Sequence, residues 1–178
     1  MEYCYRKAKK EDVKAISELV TKLLGTCNLD YSHSIEDNNY EEIKQTIQNY
    51  YVCSFQNEII GACGLDDHLT EDEFDLGLTN IQNILYFVVD SNHQKKGIGT
   101  KLLTLVMSQQ KGDILYDAWG DNGEYVNSKF MLEKCGFELY RDLGNNWYKD
   151  HGYCSLCVNR NKKCNSCLAQ IWIKKYNR

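Results

Sequence analysis

Val89-Asp90-Ser91-Asn92-His93-Gln94-Lys95-Lys96-Gly97-Ile98-Gly99-Thr100 is the stretch that decides how this chain folds. It follows the apolar run Ile84-Leu85-Tyr86-Phe87-Val88-Val89, which reads as a strand in the middle of a sheet. It precedes Ile98, Leu102, Leu105 and Val106, which share one face of a helix over 98–110. A buried strand therefore feeds a basic loop, and the loop feeds a helix. Gly97 and Gly99 let backbone N–H groups approach a ligand without interference from Cβ. The helix start adds unpaired N–H donors and a partial positive charge. Lys95 and Lys96 add full charges. Together these make a cradle for pyrophosphate. The residue order is not that of a P-loop, and a Rossmann turn would need three glycines after a first strand. The plain alternative is a glycine-bearing turn before an ordinary helix.

Outward from this loop, residues 3–8 read as an edge strand. Val13, Ile16, Leu19, Val20, Leu23 and Leu24 have helical spacing and stop at Gly25. Residues 26–39 read as a polar loop and 41–49 as a short helix. Residues 50–55 and 59–65 form a hairpin around Gln56-Asn57-Glu58. An acidic loop over 66–80 leads into the central strand, 81–90. A strand over 113–119 follows, then turn residues Gly120-Asp121-Asn122-Gly123 and a helix over 124–134 ending near Gly136. Strands over 138–141 and 171–176 close the chain. This order predicts a mixed α/β (α+β) domain around one central sheet, a single domain over residues 1–178.

The composition is that of a globular protein: 178 residues, 43% hydrophobic, 26% charged, and no apolar run approaching a membrane span. The N-terminus has no basic start followed by an apolar stretch, so the expected location is the cytoplasm, with no membrane partner. A net charge of −4 argues against nucleic acid, which needs a clustered basic surface. The sequence leaves monomer and homodimer open. Of nine cysteines, Cys4, Cys27, Cys53, Cys63 and Cys135 are scattered and read as reduced thiols.

Gln94-Lys95-Lys96-Gly97-Ile98-Gly99 matches the Q/R-x-x-G-x-G/A motif of GNAT-superfamily N-acetyltransferases, and the chain resembles that family in register over most of its length. Tyr5 to Asp12 looks like the family's first strand and helix start, Asn57 to Gly61 like its second hairpin, and Ser128 to Phe137 like its late helix ending in a Gly-Phe pair. The resemblance implies a GNAT-like fold, with a central splayed mixed sheet flanked by helices and acetyl-CoA lying in the splay. Phe87 and Val89 are then expected to offer backbone groups to the pantetheine arm. Gln94, Lys95, Lys96, Gly97, Ile98, Gly99 and Thr100 are expected to hold the pyrophosphate. The implied reaction is direct attack of an amine on the thioester, which needs a base or water relay and an oxyanion-stabilising N–H.

The sequence departs from the family where a tyrosine commonly protonates the leaving thiolate, because that position is Leu132. The usual asparagine seven residues earlier falls on Tyr125, and nearby Asn127 is the candidate to replace it at the cofactor. The catalytic candidates are Tyr125 as acid, with Asp117 or Tyr86 as base or water-positioner. Each also reads as ordinary: core or wall aromatics, and a solvated strand-end carboxylate. The expected function is acetyl transfer from acetyl-CoA to a primary amine of a small molecule or peptide. The rivals are a non-catalytic CoA-binding sensor and an enzyme using another acyl-CoA or a non-amine acceptor.

Cys154, Cys157, Cys164 and Cys167 form two C-x2-C knuckles separated by six residues. Two knuckles complete a tetrahedral thiolate site, for which structural zinc is favoured over iron or redox disulfides. His151 is surplus to that set. By the resemblance, Trp147-Tyr148 and Ile171-Trp172-Ile173 belong to the last two strands. The cluster is then an insertion at about 150–168 between them, on the acceptor side. It either shapes the acceptor pocket, staples a long loop, or uses Arg160, Lys162 and Lys163 to dock a partner.

Overall fold

Ile81–Val89 forms β4, and its apolar run is explained by neighbours on both edges. The computed structural model describes residues 2–25, 34–66, 77–120, 124–145, 147–150 and 167–176. Around β4 stand β1 (Cys4–Lys7), β2 (Tyr50–Phe55), β3 (Glu58–Leu65), β5 (Asp113–Gly120), β6 (Glu138–Asn145) and β7 (Leu168–Lys174). They make one seven-stranded sheet in the order β1-β2-β3-β4-β5-β7-β6. Among the described residues only β4 and β5 run parallel; every other pairing is antiparallel. The sheet is therefore mixed, as expected.

Helices cover both faces. On one, α1 (Val13–Leu23) and α2 (Ile35–Thr46) bury Ile16, Val20 and Ile43 against Tyr50, Val52, Ala62 and Val88. On the other, α3 (Ile98–Met107) and α4 (Lys129–Lys134) bury Ile98, Leu102, Val106 and Leu132 against Cys63, Ile114 and Trp172. Each fully buried aliphatic side chain contributes about 2 kcal/mol of hydrophobic stabilisation. No helix among the described residues is long and apolar enough to cross a membrane. Cys53 and Cys63 are buried, Cys135 is half-buried and Cys4 exposed, all of them free.

Several boundaries differ from the sequence reading. The second helix starts at Ile35, six residues before the expected Glu41. Ser34 caps it, its Oγ accepting from Asp37 N at 3.1 Å. The polarity of Asn39 suits a loop, yet the residue is fully buried. Its Nδ2 donates to Thr21 Oγ1 at 2.7 Å and to the Gly25 carbonyl at 2.8 Å, adding hydrogen bonds to the apolar contact between α2 and α1. The late helix is only Lys129–Lys134, so Tyr125 and Asn127 precede it. Trp147 begins a short helix, α5 (Trp147–Asp150), rather than a strand. The partner of β7 is instead the longer β6, and the connection between the two spans 146–167.

The start of α1 rests on one ion pair. Arg6 Nη1 and Nη2 donate to Asp12 Oδ2 and Oδ1 at 2.6 and 2.9 Å, and Lys9 N donates to the same carboxylate at 2.7 Å. The Arg6 guanidinium, chiefly, holds the Asp12 carboxyl below its ordinary range. A depressed carboxylate contributes stability above its unfolded value and loses it as pH falls through the folded one. Asp12→Asn is expected to cost about 2 kcal/mol at pH 7, a partly exposed pair being worth less than a fully buried one. The deficit in denaturant unfolding should shrink as pH drops below the usual aspartate range.

Candidate functional site

β4 and β5 pair over only three positions, Ile81–Asn83 with Asp113–Leu115. The buried Gln82 pins this closed end. Its Oε1 accepts from Lys111 N at 2.6 Å and Gly112 N at 3.3 Å, and its Nε2 donates to the Asp66 carbonyl at 2.8 Å. Beyond it the strands diverge, and β4 shows why. Its register with β3 runs Gly61↔Val89, Ala62↔Val88, Cys63↔Phe87 and then Leu65↔Ile84. Three steps along β4 thus match two along β3. Leu85 and Tyr86 both turn to the α1/α2 core, whereas Ile84, Phe87 and Val89 face the α3 core. One extra residue at Leu85-Tyr86 is a β-bulge, which bends the strand and increases its twist.

Asp90 N donates to the Ile60 carbonyl at 2.8 Å, toward β3. By alternation, Phe87 and Val89 turn their N–H and C=O groups toward the open gap. Gln94 Nε2 donates to the Val89 carbonyl at 3.0 Å and closes the end of the strand. On the α3 face the rings of Phe87 and Tyr116 meet edge-on across the gap at 6.1 Å.

The loop at the open end is held from several sides. Asp90 Oδ1 accepts from Asn92 N, and Lys22 Nζ donates to its Oδ2 at 2.9 Å. Lys22 first, then the Asn92 N–H, keeps the Asp90 carboxyl below its ordinary range. Lys96 Nζ donates to the Asn92 carbonyl. Lys95 and Gly97 have φ of 59° and 80°, and Ile98 opens α3 immediately after. Left-handed residues beside helical ones turn successive N–H groups into a concavity suited to an anion. Gln94, Lys95, Lys96 and Gly97 are exposed, while Ile98 is buried and anchors the helix. Gly99 serves packing: a Cβ there would lie 3.2 Å from Met131 Sδ and 3.3 Å from Phe87 Cζ. Thr100 follows in the first turn of α3 and is half-buried.

The catalytic candidates do not converge on one point. Tyr86 lies on the bulge, buried on the α1/α2 face. Asp117, exposed on β5, shares that face and flanks the gap from the other side. Tyr125 lies in a groove with Lys129, Glu133, Leu139, Gln170 and Trp172, on the α4 side of β7. Asn127 is exposed, and its N donates to the Trp119 carbonyl at 3.3 Å. Gly120 lets this segment cross β5, since a Cβ there would run into the Tyr125 carbonyl. Leu132 is fully buried in the core. Of the four knuckle cysteines, Cys154, Cys157 and Cys164 lie outside the described residues. Cys167 is buried just before β7, and Trp119 Nε1 donates to its Sγ at 2.8 Å. No group of three or more metal-ligating side chains occurs among the described residues. The sequence reading missed the polar group behind Tyr86, formed by Asn39 and Glu42. A Ser34 cap signal would have put both on one helix.

Gly97→Ala should lower stability by about 1 kcal/mol, because a Cβ is strained at φ 80° although space is open around it. Lys95→Gly removes a similar strain and should raise the unfolding midpoint while deleting one charge from the loop. Thermal unfolding of both variants checks these opposite signs.

Comparison with known proteins agrees with this architecture. The family model described as Acetyltransferase (GNAT) domain matches residues 46–155, more than half of the chain. No curated protein matches. A protein from Pyrococcus horikoshii OT3 superposes with a TM-score of 0.64 at 20% identity, covering 99% of this chain and 100% of that one. A putative acetyltransferase from Salmonella typhimurium, solved with its cofactor acetyl-CoA, gives 0.65 at 17% identity, covering 100% and 96%. The loading GNAT-like domain of CurA from Lyngbya majuscula gives 0.66 at 13%, covering 98% of each. These structural likenesses establish the fold, and the family match establishes the lineage. The chain belongs to the GNAT acetyltransferase family, whose general chemistry is acyl transfer from acetyl-CoA.

Proposed function

We propose that this protein transfers an acetyl group from acetyl-CoA to a primary amine of a small molecule or peptide. The observation that supports this most is the gap between β4 and β5, which ends at an exposed loop with two lysines and the start of α3. In this reading the backbone of Phe87 and Val89 holds the pantetheine arm, and residues 94–100 hold the pyrophosphate. Asn127 approaches the cofactor from the β5 side. The amine attacks the thioester carbonyl, a β4 N–H stabilises the oxyanion, and the thiolate leaves. Asp117 and Tyr86 flank the acceptor face. With Leu132 buried and unable to donate, Tyr125 is the candidate acid and must turn from its groove to act. The buried Leu132 is also what favours the second reading, a CoA-binding sensor without turnover.

The knuckle cysteines are proposed to bind one structural zinc ion. Cys167 supports this, because an indole N–H to its sulfur is the outer hydrogen bond that a metal-bound thiolate receives. The ion would fix the β6–β7 connection to the end of β5 through Trp119.

Acetyl-CoA turnover against polyamines, amino acids, aminoglycosides and peptide N-termini, with products read by mass spectrometry, tests the main reading. An acetylated amine supports it, and CoA binding without product from any class favours the sensor. Tyr125→Phe should lower turnover about tenfold, a modest general-acid effect because thiolate leaves readily. CoA affinity should hold, and unchanged turnover removes Tyr125 from the mechanism. Elemental analysis should find about one zinc per chain, and Cys154→Ser should lose it. If that variant keeps its acceptor profile, the metal loop is a staple and not a wall of the pocket.

A further inference from the structure

Asp90 carries a negative charge at the place where an anionic ligand is expected. It is the first residue after β4 and opens the loop that the proposed function gives to the pyrophosphate. Its side chain shapes that loop. Asp90 Oδ1 accepts from Asn92 N at 3.0 Å, and the Asp90 carbonyl accepts from His93 N at 2.9 Å, which closes a helical turn over Ser91–His93. The Asn92 carbonyl then accepts from Lys96 Nζ at 3.0 Å. Two hydrogen bonds through one residue therefore link the carboxylate to a lysine of the loop. An Asn at position 90 could cap the turn as well as Asp does. Only Asp adds a charge, and a fixed negative charge repels a polyanion such as CoA.

The counter-charge comes from α1. Lys22 lies in its last turn, with Nζ 2.9 Å from Asp90 Oδ2. The side chain of Lys22 is 61% exposed and that of Asp90 only 14%, so the lysine covers the carboxylate from the solvent side. Lys22 first, then the Asn92 N–H, keeps Asp90 ionised at neutral pH. His93 is the other titratable group facing it, and its ring is packed against Tyr3 and Phe55 on the far side.

Both partners are anchored without this pair. Asn39 Nδ2 holds the last turn of α1 through Thr21 Oγ1 and the Gly25 carbonyl. Gln94 Nε2 holds the loop through the Val89 carbonyl, and Lys96 holds it through Asn92. An exposed ion pair adds little to folding stability. Its larger consequence is for the field at the loop.

We infer that Lys22 is a cofactor-affinity residue, which neutralises Asp90 so that the loop keeps its carboxylate cap and still admits a polyanion. This rests on the reading of residues 94–100 as the pyrophosphate site. The competing account makes the pair a strap that holds the loop to α1. The two accounts differ in what Asp90→Asn does, because Asn keeps the cap and removes the charge. A strap is broken equally by Lys22→Met, by Asp90→Asn and by both together.

The test is calorimetric titration of the full chain with CoA at pH 7 and low salt. Lys22→Met should bind CoA about threefold more weakly and Asp90→Asn about threefold more tightly, a step the size of an exposed ion pair. The double variant should match wild type, and Lys22→Arg should too. At about 1 M salt, where the screening length falls to about 3 Å, all the affinities should converge. Lys14→Met removes a charge from the opposite end of α1, where Lys14 pairs only loosely with Glu18 at 3.9 Å, and should leave CoA affinity unchanged. Weaker binding by Asp90→Asn overturns the inference and establishes the strap. Unchanged affinity in Lys22→Met overturns it, and so does an equal loss in Lys14→Met, which marks an effect of net charge alone. A wild-type protein that does not bind CoA sinks the reading of the loop itself, and this inference with it.

Discussion

The bulge at Leu85-Tyr86 is the constraint on which the rest of the structure depends. A strand paired on both edges along its whole length has no free backbone groups to offer. Here β4 stays paired with β3 on both sides of the bulge but leaves β5 after Asn83. Gln82 makes the departure abrupt, because its three hydrogen bonds clamp the strands at one end while the extra residue turns them apart just beyond. The edge of β4 beyond Asn83, normally a liability, is left as a row of donors and acceptors, which the proposed function assigns to the cofactor. The bulge also puts Tyr86 on the opposite face from Phe87. One short segment therefore serves both sides of the sheet.

Hydrogen-bonded polar groups hold this arrangement in place. Asn39 joins α1 to α2 and reaches the Tyr86 phenol, so the helical layer is keyed to the bulge by direction as well as by apolar contact. Burial of such groups without partners would cost several kcal/mol each, which makes an alternative helix register expensive. On the far side of the gap, Phe87, Tyr116, Gly99 and Met131 pack the start of α3 against the strands. The loop that precedes α3 is thus fixed at both ends.

The sequence made the mixed sheet, the central position of β4 and the β4–loop–α3 unit legible, because apolar runs and glycine spacing report burial and turn chemistry directly. It hid the start of α2, because Asn38 and Asn39 are buried by hydrogen bonding and look like loop residues. It hid the bulge as well: Leu85-Tyr86 is as apolar as its flanks, and only register reveals the extra residue. The late helix was overextended because Glu124 to Ser128 suits a helix locally, yet the chain must cross β5 at Gly120 before α4 can start. The resemblance places Trp147 in a strand, but β6 already supplies the strand that β7 needs. Glu42 carried no motif, and its partner lies 44 residues away.

The most direct test of the account is amide hydrogen exchange with and without CoA. The gap is predicted to bind it, so CoA should protect the amides of Phe87 and Val89 and those from Lys96 to Lys101, while β1 and β2 stay unchanged. CoA binding that leaves these amides exchanging at the free rate would contradict the account, since the ligand would then lie somewhere other than the splay that the bulge creates.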